Sequence, residues 1–460
     1  MRRTLLLLTM VGAMLLTLSG VVLAQQSGLE RTSPGDGEQR AAVEKNAGQA
    51  VPDRYIVVLK SDANASKVAE EHSRRLSAEV TSVYEHALRG YAAKIPSAKL
   101  SEVRADPRVE FVQQDRTAVA FEQTRPTGVD RIDGEKSPTA KIDGIDERVN
   151  ANVAVIDTGI NKTHPDLNVA GGRNFATFSS PNNKYEDGHG HGTHVAGTIA
   201  ALDNSDGPVG VAPGAKLYGV KVLSNSGTGY QSWIIKGIDW VTGRKAEFND
   251  GNGDGDPGID FAAANMSLGG SGTDGSCASN AYHKAICNSV AAGVTYAVAA
   301  GNSNADLQNF VPATYSEVLT VTAVSDSDGI PGGTGAAPSC RAGEKDDYAA
   351  TFSNYATLAS DQNHTIAAPG VCIYSTWKNG GYNTISGTSM ASPHIAGAAA
   401  LYKANNRTAT PAQVMTKLRT DAATKTGSDS SVSGYYGFTN DPNTPNGSRY
   451  YGYMEYAGGY

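Results

Sequence analysis

Residues 149–160, VNANVAVIDTGI, are the stretch from which the fold is read. Val153, Ala154, Val155 and Ile156 form an unbroken apolar run that stops on Asp157, Thr158 and Gly159. A strand with one wet face alternates apolar and polar residues, whereas a strand covered on both faces of a parallel sheet does not. Further along, HVAGTIAAL, SWIIKGIDWVTG and AYHKAICNSVAAG have helical character. KLYGVKVL, DFAAANMSLGG, VTYAVAAGN and VLTVTAV read as strands, and SMASPHIAGAAALYKAN as a long helix of small residues. Strands alternating with helices predict an α/β fold with a doubly wound, mostly parallel sheet. Ligands of such sheets bind beyond the carboxyl ends of the strands. That rule singles out Asp157, Asn302, and Ser389 at the start of its helix.

Upstream of Val149 the pattern is different. RYIVVLK (54–60), GYAAKI and VEFVQQD read as strands and ASKVAEEHSRRLS (65–77) as a helix, which makes a small α+β unit ending near residue 121. Residues 25–52 are a polar leader. The first 24 residues have a basic start, an apolar run and Val22-Leu23-Ala24 at a cleavage-like end, the pattern of a signal peptide. No other stretch is long and apolar enough to cross a bilayer, so a secreted protein, free of the membrane once the signal is removed, is expected. The 460 residues are 40% hydrophobic and 18% charged with a net charge of −7, which reads as globular and speaks against a nucleic-acid partner. Export gives meaning to Cys277, Cys287, Cys340 and Cys372, which contain no CxxC pair. Disulfides are expected, and of three possible pairings the local ones, Cys277–Cys287 and Cys340–Cys372, are preferred. Residues 427–460, rich in Tyr and Gly, read as a short surface extension.

DGHGHGTHVAG (187–197) places His189, His191 and His194 close together beside Asp187. An H-x-H-x-x-H run can bind zinc. A nucleophilic hydrolase, in contrast, needs a hydroxyl, a base for its proton and an acid to orient that base. AVIDTG offers Asp157 at a strand end, GHGTHVAG offers His191 at a helix start, and SGTSMASPH offers Ser389 between a glycine turn and a helix N-terminus. Singly each is an ordinary cap or core residue. The zinc reading leaves Asp157, Asn302 and the GTSMA turn unexplained.

Asp157, His191 and Ser389 in that chain order, with those flanks, resemble the subtilisin-like serine proteases (the subtilase family, subtilisin and proteinase K type). The N-terminal α+β unit resembles their inhibitor-type prodomain, which implies a ferredoxin-like fold for 25–121 (ordered from about 52) and a catalytic domain at 122–426. By this resemblance Asp157 orients His191, His191 serves as base and then acid, and Ser389 attacks the scissile carbonyl. Asn302 would share the oxyanion with the Ser389 backbone N–H, His194 would be structural, and His189 exposed. Ser267, Leu268 and Gly269 would pair with an extended substrate and form one wall of the S1 pocket, with Ala299, Ala300 and Gly301 as the other. NADLQNFVPAT (304–314) is closer to the proteinase K branch. FVQQDRTAVAF (111–121) resembles the prodomain end, which places cleavage between Phe121 and Glu122 and implies a large apolar P1.

The resemblance also implies structural calcium, held by the side chains of Gln123, Asp166 and Asn204 and the carbonyls of Leu202, Asp206 and Pro208. A possible second calcium loop, NDGNGDGDPGID (249–260), alternates Asp250, Asn252, Asp254 and Asp256 like half of an EF-hand, but Phe261 stands where its last ligand should be. No catalytic cofactor is implied. The expectation is a monomeric serine endopeptidase, made as a zymogen with its prodomain as inhibitor and chaperone, acting on protein and peptide substrates with broad specificity. A processing protease cutting after basic pairs would need acidic pocket walls, which SLGG and AAGN lack, although Asp306 is near. A non-catalytic surface protein would have no reason to keep all three triad positions.

Overall fold

The computed structural model describes residues 50–116, 123–177, 184–251, 257–428 and 436–460. The signal segment, the Phe121–Glu122 junction, and Asn252, Asp254 and Asp256 lie outside the described residues. The chain divides into two units, 1–119 and 120–460.

In the first unit the elements run β1 (Ala50–Leu59), α1 (Ala65–Leu76), β2 (Glu79–Tyr84), β3 (Gly90–Lys94), α2 (Leu100–Arg104) and β4 (Val109–Arg116). The sheet order β2-β3-β1-β4, all antiparallel, is ferredoxin-like. Helix α1 starts where the Asn64 side chain accepts from the Lys67 N–H, and stops at Ser77 in the left-handed region. Its Val68, Ala69 and Leu76 pack on Val57, Leu59, Tyr91 and Ile95 of the sheet.

The second unit runs α3 (Thr127–Arg131), β5 (Asn152–Asp157), β6 (Val169–Asn174), α4 (His191–Ala200), β7 (Lys216–Lys221), α5 (Gln231–Asp250), β8 (Phe261–Met266), β9 (Gly270–Ser271), α6 (Ala281–Ala291) and β10 (Thr295–Ala299). It continues with β11 (Phe310–Val311), β12 (Leu319–Ser325), β13 (Tyr348–Ala349), α7 (Ala359–Gln362), β14 (Thr365–Pro369), β15 (Ile373–Trp377), β16 (Gly381–Ile385), α8 (Thr388–Asn405) and α9 (Pro411–Ser428). The main sheet has the order β13-β12-β10-β8-β5-β7-β6, with β14 beside β12, and all its pairs are parallel except β12–β13.

Strand β5 shows why its sequence is apolar throughout. Val153 and Val155 pack into the core shared with Val195, Ile199, Met390 and Ile395 of α4 and α8. Ala154 and Ile156 point the other way, to Ile234, Ile238, Tyr282 and Ile286 of α5 and α6. All four are fully buried. The strand ends at Asp157 because Gly159 turns with φ +102°, and a Cβ there would stand 2.2 Å from the Tyr185 carbonyl oxygen.

Residues 436–460 are not a surface extension. They run beside β14, with the Ala367 N–H donating to Tyr453 O and the Glu455 N–H to Ala367 O, both at 2.9 Å. Tyr436, Phe438, Tyr451, Met454 and Ala457 are buried in the core of the domain. The apolar tyrosine rings and the open edge of β14 account for this, since an edge strand recruits a partner when one is at hand. Arg131 of α3 anchors the start of this segment. Its fully buried guanidinium donates to the carbonyls of Tyr436 (2.7 Å) and Gly437 (2.8 Å) and pairs with Asp347 (2.8 Å) and Asp326 (3.3 Å). Disulfides join Cys277 to Cys287 and Cys340 to Cys372. No helix among the described residues is long and apolar enough to cross a membrane.

Arg131→Leu leaves two buried carboxylates without their cation. The expected loss is about 3–5 kcal/mol of unfolding free energy, read by calorimetry as a lowered Tm, and an unchanged Tm would contradict this account of the anchor.

Candidate active site

Asp157 stands at the carboxyl end of β5 with its side chain fully buried. Its Oδ1 accepts the Thr158 backbone N–H at 2.7 Å and lies 2.8 Å from Nδ1 of His191. His191 is the first residue of α4, and Asp187 fixes that start. Asp187 Oδ1 accepts from the N–H groups of His189 and Gly190 and from the Thr158 hydroxyl, while Oδ2 accepts from the N–H and hydroxyl of Thr193. One carboxylate thus satisfies helix-end donors that nothing else in the helix could. The Thr158 hydroxyl in turn accepts from the Gly192 N–H at 2.9 Å, so the strand end and the helix start are held in one network. The buried Lys221 ammonium adds a bond to the Thr158 carbonyl. Burial works against a charged imidazole, but the charge and hydrogen bond of Asp157, with Asp187 behind it, outweigh burial and hold His191 above the ordinary histidine value.

Ser389 is the second residue of α8. Pro393 within that helix has no N–H to give the Ser389 carbonyl. The Ser267 hydroxyl takes that place and donates to Ser389 O at 2.7 Å, which ties the end of β8 to the start of α8. Ser267 is itself held by the Asn265 amide at 2.9 Å, and Asn265 by the Ser392 hydroxyl at 2.8 Å. The Ser389 hydroxyl donates to the Ser267 carbonyl at 3.2 Å, and among the described residues no hydrogen bond joins it to His191. Catalytic hydrogen bonds are often long or unformed until substrate enters.

Asn302 follows β10 and its side chain is exposed. Its Oδ1 accepts both the backbone N–H (2.8 Å) and the hydroxyl (2.9 Å) of Thr388, so its Nδ2 is turned outward as a donor. Thr388 also accepts from the Gly301 N–H at 3.0 Å. A Cβ on Gly387 would lie 3.4 Å from Asn302 Nδ2 and 3.6 Å from the Ser389 nitrogen. Two donors therefore converge on the space that glycine leaves open, the geometry needed to stabilise a developing oxyanion. Asn354 supports this loop from beneath, accepting from the Ser303 and Ala305 N–H groups at 3.0 Å and donating to Ala300 O at 2.9 Å.

The other expected site residues are placed as follows. β8 and β10 are neighbours with Met266 opposite Val298, so Ser267, Leu268 and Gly269 stand beside Ala299, Ala300 and Gly301. None of the six carries charge. Asp306 is engaged by the Gln308 N–H (3.2 Å), the Gln308 amide (2.8 Å) and the Thr357 hydroxyl. His194 is fully buried, bonded to Ile373 O at 2.9 Å, and burial pushes it down to about 3. His189 is half-buried rather than exposed, with its ring edge-on to His191 at 6.2 Å. Asp187 lies within the quoted histidine stretch but its capping role, like those of Thr158, Thr388 and Asn354, has no signature in spacing. An acid shortly before a helix start is the one signal that points to it.

The expected calcium ligands also come together. Asp166 is almost fully buried, its Oδ1 accepts from the Asn204 amide at 3.0 Å, and among the described residues its Oδ2 has no hydrogen-bond partner. Burial pushes its carboxyl up to about 8. Gln123 donates its amide to Leu202 O at 2.5 Å, and the Asp206 N–H donates to Asn204 Oδ1 at 2.6 Å. Thr124 bridges to Pro208 along the backbone. An orphaned buried carboxylate oxygen suits a hard cation, and the Asn204 and Gln123 amides, which here turn N–H groups to Asp166 Oδ1 and Leu202 O, would turn their oxygens inward to join it. In the second expected loop Asp250 instead ends helix α5, which runs through it to a left-handed Gly251.

Residues 149–439 match the model of the subtilase family, and residues 54–119 that of peptidase inhibitor I9. Subtilisin E of Bacillus subtilis (strain 168) is 38% identical, covering 72% of this chain and 74% of its own. An extracellular serine proteinase of Thermus sp. (strain Rt41A) is 35% identical over 81% and 85%, and a cuticle-degrading protease of Metarhizium anisopliae 36% identical over 89% and 94%. The crystal structure of a cold adapted subtilisin-like serine proteinase is 33% identical over 72% of this chain and 98% of that one, with a TM-score of 0.48.

A base must be neutral to accept a proton, so kcat/KM is expected to fall as pH drops through the raised pKa of His191. In Asp157→Asn the burial of His191 is no longer opposed by that charge, so the acid limb moves to lower pH while the rate falls. A limb that stays in place would show that another group sets it.

Proposed function

The chain belongs to the subtilase family and is a serine peptidase that carries a peptidase-inhibitor prodomain, and from this premise we propose that it is a secreted endopeptidase, made as a self-cleaving zymogen, that works through Asp157, His191 and Ser389. The observation that carries the reading is the 2.8 Å contact between Asp157 and His191 at a sealed strand end, taken with the two donors that converge at Asn302 and Ser389. In the proposed reaction the Ser389 oxygen attacks the scissile carbonyl carbon as its proton passes to Nε2 of His191. Asp157 keeps the ring proton on Nδ1 and stabilises the imidazolium. The oxyanion takes hydrogen bonds from Asn302 Nδ2 and the Ser389 N–H. His191 then gives its proton to the leaving amine, and water, activated by the same ring, frees the acyl group from Ser389.

The uncharged walls at 267–269 and 299–301 support a broad preference for apolar or aromatic P1 residues, in keeping with Phe121 at the expected cleavage point. The prodomain, as a member of an inhibitor family, supports restraint of the enzyme until that cut. Secretion is supported by the signal-like first 24 residues and by the extracellular relative. Calcium would be held by Gln123, Asp166 and Asn204 with the carbonyls of Leu202, Asp206 and Pro208, where its charge would compensate the buried Asp166 carboxylate and staple the 201–208 loop.

Two measurements test this. Mass and N-terminal sequencing of the secreted protein are expected to give Glu122 as the first residue, with Ser389→Ala keeping its prodomain; equal processing of both would end the self-cleavage reading. Asn302→Ala is expected to lower kcat on the order of 100- to 1000-fold with little change in KM, a range carried over from subtilisin itself. A fall confined to KM would remove Asn302 from the oxyanion site.

A further inference from the structure

His164 and Tyr382, which neither the triad nor the calcium ligands use, tie the Asp166 loop to the strand that leads into the nucleophile. His164 is 3% exposed. Its Nδ1 accepts the backbone N–H of Asp166 at 3.2 Å, and its Nε2 lies 2.9 Å from the Gly381 carbonyl. These two bonds select one neutral tautomer, in which Nδ1 accepts and Nε2–H donates. Tyr382 stands next to Gly381 in β16, with its ring edge-on to His164 at 5.4 Å. The same ring covers Gly207 of the calcium loop so closely that a Cβ there would come within 2.5 Å of it. A third tie is the Gly380 N–H, which donates to Asn161 Oδ1 at 3.1 Å.

Both ends of this clamp lead to the triad. The loop bearing Asn161, His164 and Asp166 begins at the end of β5, where Asp157 sits. Strand β16 continues through Ser386, which accepts the Cys372 N–H at 2.9 Å, and Gly387, whose N–H donates to Gly370 O at 2.8 Å, straight to Ser389. A change in how Asp166 is held therefore has a short, hydrogen-bonded route to the backbone that aims Ser389.

We propose that His164 is a positioning residue that couples cation binding at Asp166 to the setting of Ser389, with the Tyr382 ring completing the coupling. The proposal rests on the calcium reading above. Coupling between two binding sites is reciprocal: if calcium tightens binding of a ligand at Ser389, that ligand tightens calcium by the same factor.

The experiment uses a peptidyl boronic acid, which binds the serine reversibly, and calcium titrated against a chelating dye, on the mature protein, its His164→Leu, His164→Gln and Tyr382→Leu variants, and Asp166→Asn. In the wild type, calcium is expected to tighten the boronate by about 5- to 150-fold, the usual span of such couplings, and the boronate to tighten calcium equally. His164→Leu should still bind calcium but lose the coupling to within about twofold, read as the ratio of the two affinities rather than as activity. His164→Gln, with one acceptor and one donor, should recover part of it, and Tyr382→Leu should weaken it, which keeps the test open if His164→Leu does not fold. Full coupling retained in the folded His164 and Tyr382 variants, or none in a wild type that binds calcium, overturns the proposal. Calcium binding that survives in Asp166→Asn, or is absent from the wild type, brings down the calcium reading, and the proposal with it.

Discussion

The hydrogen bond from His191 to Asp157 is the interaction on which the rest of the structure depends. It needs a carboxylate without a water shell, and β5 provides that by being covered on both faces, so Asp157 emerges from a strand that has no wet side. It also needs a ring pointed at that carboxylate. Helix α4 starts at His191 because Asp187 takes up the free N–H groups before it, and Thr158 joins the strand to the helix. A buried acid beside an imidazole is costly in isolation; here Oδ1 of Asp157 is met by both the Thr158 N–H and the His191 ring, while Oδ2 has no partner among the described residues. The small residues around it follow from the same demand, since Gly159 and Gly192 let the strand end and the helix approach each other.

The Ser389 side is built on a second economy of hydrogen bonds. Pro393 removes a helix bond, and the freed Ser389 carbonyl is taken by Ser267, so the helix that carries the serine is fastened to the end of β8. Thr388 donates twice to the Asn302 amide oxygen, which turns its nitrogen outward on an exposed side chain. Donors fixed before substrate arrives pay no reorganisation when charge develops, and this makes them effective in a partly dry site. The Ser389 hydroxyl donates to the Ser267 carbonyl.

Much of this is legible in the sequence, and for physical reasons. The run from Val153 to Ile156, rich in β-branched residues and ended by Asp-Thr-Gly, reads as a strand covered on both faces, and the sheet and the position of Asp157 follow from it. His191 and Ser389 sit at helix starts flanked by glycines, which is a local signal. The packing of Tyr436, Tyr451 and Met454 is not legible, because a Tyr- and Gly-rich tail has no period, and its burial depends on the exposed edge of β14 far away in the chain. Asp250 reads as the start of an acidic loop, yet the helix pattern of α5 carries through it. Thr388 and Asn354 escape for a related reason. Their partners are distant in sequence, and a threonine or asparagine in a glycine-rich loop reads as an ordinary turn residue. His189, expected to be exposed, is half-covered by the loop around Gly227.

The central claim is that Asp157 and His191 activate Ser389, and its most direct measurement is labelling of the intact mature protein by a fluorophosphonate, followed by peptide mapping. The account predicts one label per chain, on Ser389, with labelling abolished in His191→Ala. Labelling on another residue, or at an unchanged rate without His191, would contradict it.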